Sequence, residues 1–406
     1  MDGFFDFVKR IKIFAAYPAV FAAAGMFGVH LLSLFHFVEG DVFDFAGMLF
    51  GTLFCAFAIY ESCRSMKKAA AAVSVLLISD AVFCASVGTH FSFVFCILLT
   101  LLFWLVFSNA DLLLGFFISL LSGVLLSVAL VLMNDSYTEL LRSFASAIKG
   151  RGATFGVLSN VMNLVFGSGF DALFYHKAYA ATTLIDGRIV TGAVDIFSAS
   201  DSPMKSAAEF LGGKYFASIF IPLGVFGALY RRLNKEILFA FLFTLALSVI
   251  FGDGRLFYLL LLTVSPLLYL GSLILILISY TVCAFIDMRI GFADGGTIIE
   301  LFRFMDKPVY FVFTGILVTV LSYFFTRLIA AKFHLLSSNE LPRSVRRLVA
   351  SLGGRRNILK LENGCVIVAN PNLIDILSVD CEIHENRITL LPDDFKRLSA
   401  TPLLSE

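Results

Sequence analysis

The stretch "IFGDGRLFYLLLLTVSPLLYL", residues 250–270, places an acid, a base and two glycines inside an otherwise apolar run. In lipid, an ionised side chain costs several kcal/mol unless it is paired, reached by water or used for function. Helices interrupted by glycine and charge near the middle of the membrane are typical of transporter binding sites. The charges of Asp253 and Arg255 therefore need a partner, access to water or a functional role.

The composition of the chain indicates a polytopic membrane protein. Of its 406 residues, 59% are hydrophobic and 15% are charged, and the mean hydropathy is +0.90. Soluble globular proteins carry about 25% charged residues. The net charge of +1 gives no reason to expect a nucleic-acid partner. The seven cysteines show no CxxC or Cys/His ligand spacing, so we expect buried free thiols, no metal site and no cofactor.

Apolar runs near the length of about 20 residues that crosses a bilayer recur through the first 336 residues. The candidate spans are 13–36, 43–60, 70–88, 91–107, 112–133, 215–230, 256–286 and 308–331. A less regular run covers 154–175, and the run 237–251 is short for a crossing. Glycine and charge break the apolar pattern at 167–174, 251–255 and 289–296, where we expect loops that enter the membrane.

The basic residues predict the orientation, because Lys and Arg are enriched on the cytoplasmic side. They cluster at 9–12, 64–68, 231–235 and 343–356, which predicts a cytoplasmic membrane protein with both termini in the cytoplasm. Arg142, Lys149 and Arg151 disagree with this orientation if every span crosses the membrane. A helix lying on the surface at 136–149 would remove the conflict.

The sequence changes character after the last span. Residues 337–354 form a basic linker, and 355–406 contain runs with the alternation of strands, bounded by Asn-Gly, Asn-Pro and Pro-Asp pairs. We therefore predict an all-α membrane domain over 1–336 and a small β-rich cytoplasmic appendage over 355–406.

Four stretches carry a resemblance to a known family: 8–32, with "FAAYPAVFAAAG"; 47–74, with "SMKKAAAAVS"; 210–230, with "IPLGVFGALY"; and 245–300. Together they resemble the membrane permease domain, enzyme IIC, of the glucose superfamily of the bacterial phosphoenolpyruvate-dependent sugar phosphotransferase system. The resemblance covers about residues 5–336. It implies about ten transmembrane helices, two re-entrant hairpins and a homodimer in the lipid bilayer. It also implies a hexose-like sugar as substrate and a separate enzyme IIB protein as phosphoryl donor.

The chain departs from this family at the two hairpin tips. The family carries Gly-Leu-His-His at the first tip, where this chain has 169–172, "GFDA". Aligning "SPLLY", 265–269, on the family's Ala-Pro-Leu-Leu-Tyr places Arg255 at the position of its sugar-binding glutamate. A guanidinium accepts neither a hydrogen bond nor a proton, so Arg255 is no like-for-like replacement. We expect either a divergent sugar permease or a paralogue that does not phosphorylate and acts as a facilitator, a transporter of another solute or a membrane sensor.

Three interpretations stay open for the changed tips. Asp171 and Arg255 have opposite charges and would form an ion pair if they face each other across the cavity. Each charge could instead point separately into water at a loop tip, or Arg255 could bind an anionic substrate.

Four further residues are candidates for the site or for phosphoryl transfer. Asn163 would hydrogen-bond a sugar or pack between helices, and Glu300 would be a site carboxylate or a helix contact. His176 and its neighbour Lys177 would line the cavity, or Lys177 would instead extend its charge to the membrane interface. The region around Cys365 faintly resembles the start of enzyme IIB, whose cysteine carries the phosphoryl group. Val-Ile-Val-Ala follows Cys365 in place of the family's phosphate-binding Thr-Arg-Leu-Arg, so the alternative is an ordinary strand residue.

Overall fold

A computed structural model describes the longest stretches of the membrane domain and most strands of the tail. The described residues are 14–29, 42–87, 92–147, 156–161, 164, 182–185, 188–191, 212–286, 288, 290–291, 297–305, 307–332, 348–349, 351–352, 357–362, 365–371, 381–384, 387–390, 395 and 398. The chain divides into two compact units. One comprises Met1–Tyr230 and Asn234–Leu335, and the other comprises Arg231–Leu233 and Leu336–Glu406.

Four helices of the first unit pack into an N-terminal bundle. They are α2 (Val42–Cys63), α3 (Met66–Val87), α4 (Phe93–Asn109) and α5 (Leu112–Ala147). Small residues let the backbones approach: a Cβ on Gly51 of α2 would meet Cys96 of α4, and a Cβ on Gly123 of α5 would meet Ser79 of α3. Close contact at small residues replaces the hydrophobic driving force that lipid does not supply.

Helix α1 (Phe14–Val29) joins this bundle to the next one. Phe14 packs edge-on against Phe57 of α2, with ring centroids 6.0 Å apart. On α7 (Lys235–Phe251), the Phe251 ring lies 5.1 Å from Phe27, near the ends of both helices. At their beginnings, Tyr17 lies close to the carboxylate of Glu236. Helices α1 and α7 therefore run parallel and begin on the same side of the molecule.

The C-terminal bundle contains helices of very unequal length. They are α6 (Gly212–Leu229), α7, α8 (Arg255–Val264), α9 (Pro266–Ile286), α10 (Ile298–Phe304) and α11 (Pro308–Lys332). Helices α6 and α11 form its tightest contact, since a Cβ on Gly224 would meet the backbone carbonyl of Thr319. Most of α8 is buried, from Leu256 to Leu261. A ten-residue helix extends about 15 Å, half of a bilayer core.

Five helices in the described part of the chain are long and apolar enough to cross a membrane. They are Met66–Ser86, Leu112–Leu132, Gly212–Leu229, Pro266–Ile286 and Pro308–Ala331. Shorter apolar helices cover Phe14–Val29, Met48–Cys63, Phe93–Asn109 and Arg255–Val264. The prediction of a helical domain with helices long and apolar enough to cross a membrane is thus confirmed for the described residues.

The structure corrects two predicted helix boundaries. The predicted span 256–286 is interrupted at Ser265, because Pro266 has no N–H and forces the residue before it into extended backbone, here φ −161° and ψ 110°. The predicted surface helix at 136–149 is not a separate element over 136–147, because α5 continues unbroken to Ala147. Neither proline nor glycine occurs between 124 and 149 to end it.

The structure adds a β-hairpin to the first unit that the sequence analysis did not predict. Strand β1 (Thr182–Ile185) pairs antiparallel with β2 (Arg188–Thr191). The two residues between them in sequence are Asp186 and Gly187, and Asp-Gly between alternating apolar residues is a strong hairpin signal. Hydropathy over the length of a membrane span does not register a signal this short.

The tail contains the predicted small sheet. Strands β3 (Ile358–Glu362), β4 (Cys365–Val368), β5 (Cys381–His384) and β6 (Arg387–Leu390) form an antiparallel sheet in the order β3-β4-β6-β5. The buried core of this unit is made by Leu348, Val349, Leu352, Val366, Val368, Ile388, Leu390 and Leu398. The first three lie within 337–354, so that part of the predicted linker belongs to the folded unit.

Candidate functional site

The candidate site is the turn that connects α7 to α8. Gly252 ends α7 in the left-handed region, with φ 72° and ψ 8°. Asp253 then accepts hydrogen bonds at Oδ1 from the backbone N–H of Arg255 (3.1 Å) and from its Nε (3.0 Å), and at Oδ2 from its Nη2 (3.1 Å). The side chain of Asp253 is 2% exposed and that of Arg255 is 12% exposed. The two charges in this apolar stretch therefore neutralise each other across two residues.

This geometry makes the turn sensitive to loss of either partner. A guanidinium that donates two parallel bonds to one carboxylate is a strong and directional charged contact. Burying such a pair need not add stability, but removing one partner leaves an unpaired buried charge at a cost of about 3–5 kcal/mol. The interpretation in which Arg255 points alone into water is wrong, because its side chain is paired and largely buried.

Helix α6 contains a π turn opposite this site, at Phe216–Phe220. The N–H of Ile221 donates to the carbonyl of Phe216, five residues back, so the Ala217 carbonyl loses its usual helical donor. Pro222 follows and has no N–H to donate to the carbonyl of Ser218, four residues before it. The π turn and the proline together leave two buried carbonyl groups without their usual helical donors.

Side chains from the neighbouring helices donate to these carbonyl groups instead. Tyr258 of α8 donates its hydroxyl to the Ala217 carbonyl at 2.6 Å. Ser248 of α7 donates to the Ser218 carbonyl at 2.5 Å. The Thr319 hydroxyl of α11 lies 2.9 Å from the Gly315 carbonyl of its own helix and 3.2 Å from the carbonyl of Phe220. Irregular backbone in a membrane protein must be satisfied by protein or by a wet cavity, and here side chains of α7 and α8 satisfy it.

Ser248 and Tyr258 also link the π turn to the charged turn, because they lie five residues before Asp253 and three after Arg255. Among the described residues, the hydroxyl of Ser218 is buried and has no hydrogen-bond partner. None of Ser218, Ser248 and Tyr258 was predicted as a site residue. The available signal was Pro222 inside an apolar span, since a proline there orphans the carbonyl four residues earlier and requires a donor from elsewhere.

The segment that precedes the predicted first tip packs close to this site. Asn160 accepts a hydrogen bond from the Tyr269 hydroxyl of α9 at 3.1 Å. The ring of Tyr269 in turn contacts the ring of Tyr258, with centroids 6.4 Å apart. A second contact joins the same elements, since the Tyr280 ring occupies the space next to both Gly156 and Gly213. Residues 156–161 are thus packed against α9, the helix that follows α8.

Glu300 has a structural role at the start of α10. Its carboxylate accepts from the backbone N–H of Thr297 at 3.0 Å, and its own backbone N–H donates to the Thr297 hydroxyl at 3.3 Å. This reciprocal pair is a capping box, which satisfies two N–H groups at a helix N-terminus. Of the two interpretations of Glu300, the structure shows the helix contact.

Several other predicted site residues lie outside the described residues. These are Asp171, Asn163 and His176, together with Lys177, the neighbour of His176. The proposed ion pair between Asp171 and Arg255 therefore stays a prediction. Arg255 is paired with the carboxylate of Asp253 and does not need Asp171 as a partner.

Cys365 lies in β4 on the exposed face of the tail sheet. Its sulfur is 3.5 Å from the Thr389 hydroxyl on β6, and β4 alternates with Val366 and Val368 buried. The next position on this face pairs Ile367 with Lys360 on one side and Arg387 on the other. Both cations are exposed, two residues along the strands from the cysteine. The residues that follow Cys365 in sequence carry no cation. The neighbouring strands place two cations near it instead.

The described residues contain no cluster of three or more His, Cys, Asp or Glu side chains that could hold a metal ion. The chain matches no protein-family model and no curated protein sequence.

Proposed function

We propose that this protein transports a hexose-like sugar across the cytoplasmic membrane, on a scaffold of the enzyme IIC type. The observation that carries the proposal is the buried Asp253–Arg255 pair at a break between two helices of an apolar bundle. A charged pair at such a break is costly to maintain and is typical of a solute site. The carboxylate accepts from sugar hydroxyls and the guanidinium donates to them, so the pair offers both kinds of hydrogen bond.

The arrangement of helices supports a divided transporter. The N-terminal bundle of α2–α5 is built of long apolar helices that pack through small residues. The C-terminal bundle contains the short helix α8, the π turn of α6 and the charged turn. We propose that the first bundle is the scaffold of a homodimer and that the second moves as a rigid body with the bound sugar.

We further propose that the chain crosses the membrane about ten times, with two re-entrant hairpins. In this proposal α7 and α8 form the second hairpin, with the charged turn at its tip. Residues 167–174 form the tip of the first hairpin. The contacts from Asn160 and Gly156 to α9 support this placement, since they hold the segment before the first tip against the helix that directly follows α8.

The parallel course of α1 and α7 supports the proposed orientation. Both helices begin on the same side, and basic clusters at 9–12 and 231–235 precede or begin them in sequence. Cytoplasmic loops carry an excess of Lys and Arg, which places both beginnings at the cytoplasm. In this orientation both termini of the chain are cytoplasmic.

A specific observation favours a second candidate, a facilitator that moves the sugar without phosphorylating it. Phosphoryl transfer to a sugar hydroxyl needs a group that takes up its proton. Arg255 stands where the family has a glutamate, and the guanidinium can take up no proton. Asp253 is held by three hydrogen bonds from Arg255, which occupy both of its carboxylate oxygens.

Uptake by proteoliposomes tests the proposal and separates the two candidates. The purified protein is reconstituted and given radiolabelled glucose and other hexoses, with and without phosphorylated enzyme IIB. Saturable entry of free sugar supports a facilitator, and accumulation of sugar phosphate only with enzyme IIB supports a phosphotransferase permease. No hexose entry above that of empty liposomes in either condition would refute sugar transport.

A further inference from the structure

An apolar groove opens between α1, the second half of α2 and the start of α3. Its volume is about 260 Å³, and its lining includes Tyr17, Phe21, Phe57, Tyr60 and Met66. The rings of Tyr17 and Phe57 form its floor, with centroids 5.4 Å apart. The two tyrosine hydroxyls are the main polar groups along an otherwise apolar lining.

The groove lies at one end of the helices, where side chains meet the membrane surface. Tyr60 is four residues from the end of α2, and Met66 is the first residue of α3. Tyr17 is in the first turns of α1, next to the Glu236 carboxylate at the start of α7. Tyrosine is enriched at this depth, where its ring is in hydrocarbon and its hydroxyl meets water.

Two exposed basic residues are close in sequence to the lining residues Tyr60 and Met66. Arg64 lies between Tyr60 and Met66 in sequence, and its side chain is 68% exposed although it forms a 3.1 Å ion pair with Glu61. Lys67 follows Met66 directly and is exposed. Lys68 is engaged differently, because it donates to the carbonyls of Phe107 and Ala110 at 2.6 and 3.1 Å and so caps α4. An external anion can thus reach Lys67 and the exposed part of the Arg64 guanidinium, which would share its charge with Glu61.

We propose that this groove binds an anionic phospholipid of the adjacent leaflet. One acyl chain lies along Phe21, Phe57 and Met66, and the headgroup phosphate contacts Lys67 and Arg64. The match of an apolar groove to a chain, and of two cations to a phosphate, identifies the ligand class. The proposal does not depend on what the protein transports.

Native mass spectrometry of the full chain tests the binding, with phosphatidylglycerol and phosphatidylcholine as probes. The wild-type protein is expected to retain phosphatidylglycerol in preference to phosphatidylcholine. Each Lys or Arg near an anionic surface strengthens binding about fivefold. The variant Arg64→Gln/Lys67→Gln should therefore bind phosphatidylglycerol about thirtyfold more weakly and lose the preference. Arg327→Gln, which removes an exposed arginine from α11, is the matched control and should bind normally.

A second variant tests the groove itself. Ala56→Trp places a bulky ring in the groove and should weaken retention of both lipids, while Leu113→Trp on the exposed face of α5 should not. A phosphatidylglycerol with a photoactivatable acyl chain should label Phe57 or Met66 in the wild-type protein, which needs no variant to fold. Unchanged retention in both groove variants, or labelling only elsewhere, would overturn the proposal. Loss of a dimer in Ala56→Trp with normal lipid retention would assign the groove to a second copy instead.

Discussion

Arg255 binds the carboxylate of Asp253 through its Nε and Nη2 atoms, and its backbone N–H donates to the same carboxylate. These bonds close a turn that leaves α7 at Gly252 and enters α8 at Arg255 itself. The pair is buried, so its two charges depend on each other more than on solvent. The structure thereby accounts for an acid and a base in an apolar stretch, and it defines what a substitution should do.

We predict that either charge alone destabilises the protein, while removal of both does not. Asp253→Asn and Arg255→Gln should each lower the free energy of unfolding by about 3–5 kcal/mol, because one leaves an unpaired guanidinium and the other an unpaired carboxylate. The double variant Asp253→Leu/Arg255→Met should have a free energy of unfolding close to that of the wild type. Denaturant unfolding in lipid–detergent micelles measures all three. A double variant as unstable as the sum of the singles would contradict a coupled pair.

The left-handed backbone of Gly252 gives a second prediction. Gly252→Ala should lower the free energy of unfolding by about 1–2 kcal/mol, because a Cβ is disfavoured at φ 72°. Gly28→Ala in α1 is the control, since a Cβ there meets no atom within 4 Å, and alanine favours a helix. If the two variants have equal stability, the turn does not hold the backbone described here.

The Tyr258 hydroxyl should matter because it satisfies a buried carbonyl of the π turn. Tyr258→Phe leaves the Ala217 carbonyl without this donor and should cost about 1–3 kcal/mol. Tyr310→Phe, at an exposed position of α11, removes the same atom and should have little effect. The melting temperatures of the two variants in one detergent provide the comparison. Equal melting temperatures would show that the π turn does not need this hydroxyl.

Glu300 offers a test that separates a capping role from a role in binding sugar. Glutamine also forms capping boxes, so Glu300→Gln should keep both the stability and the hexose uptake of the wild type. Glu300→Ala should lower stability by about 1 kcal/mol with a similar Michaelis constant for uptake. If Glu300→Gln keeps its stability but raises the Michaelis constant strongly, Glu300 is a substrate ligand and the capping account is incomplete.

Cys365 should not carry a phosphoryl group. Cys365→Ser is expected to transport hexose at the wild-type rate, because the thiol is one contact of a strand face and its neighbour Thr389 remains. Incubation with phosphorylated donor proteins and radiolabelled phosphate should give no label on the wild-type chain. Label that is present in the wild type and lost in Cys365→Ser would restore the enzyme IIB interpretation.

Local rules in the sequence predicted much of the fold. Long apolar runs identified the helices of the N-terminal bundle. A run of about 20 apolar residues in lipid has few alternatives to a helix that spans the membrane. The alternation in 355–406 likewise predicted the tail sheet. The break at Ser265 was missed, although Pro266 implies it, because hydropathy averages over the one residue that ends the helix. The Asp186-Gly187 hairpin was missed for a similar reason.

The site was harder to predict, because its contacts join distant parts of the chain. The sequence identified Asp253 and Arg255 as a charged pair that needed an explanation, and the structure provides one. The donors from Ser248 and Tyr258 to Ala217 and Ser218 were not predicted, since they depend on how α6 packs against α7 and α8. Apart from the proline that follows it, this π turn has no sequence pattern that would predict it.

Hexose uptake by the charge-neutral double variant tests the central claim most directly. Asp253→Leu/Arg255→Met should fold as the wild type does but lack the hydrogen-bonding groups of the proposed site. Reconstituted side by side, the wild type should show saturable entry of labelled hexose, and the double variant should match empty liposomes. Equal uptake by the two proteins would contradict the claim that the turn between α7 and α8 forms the sugar site.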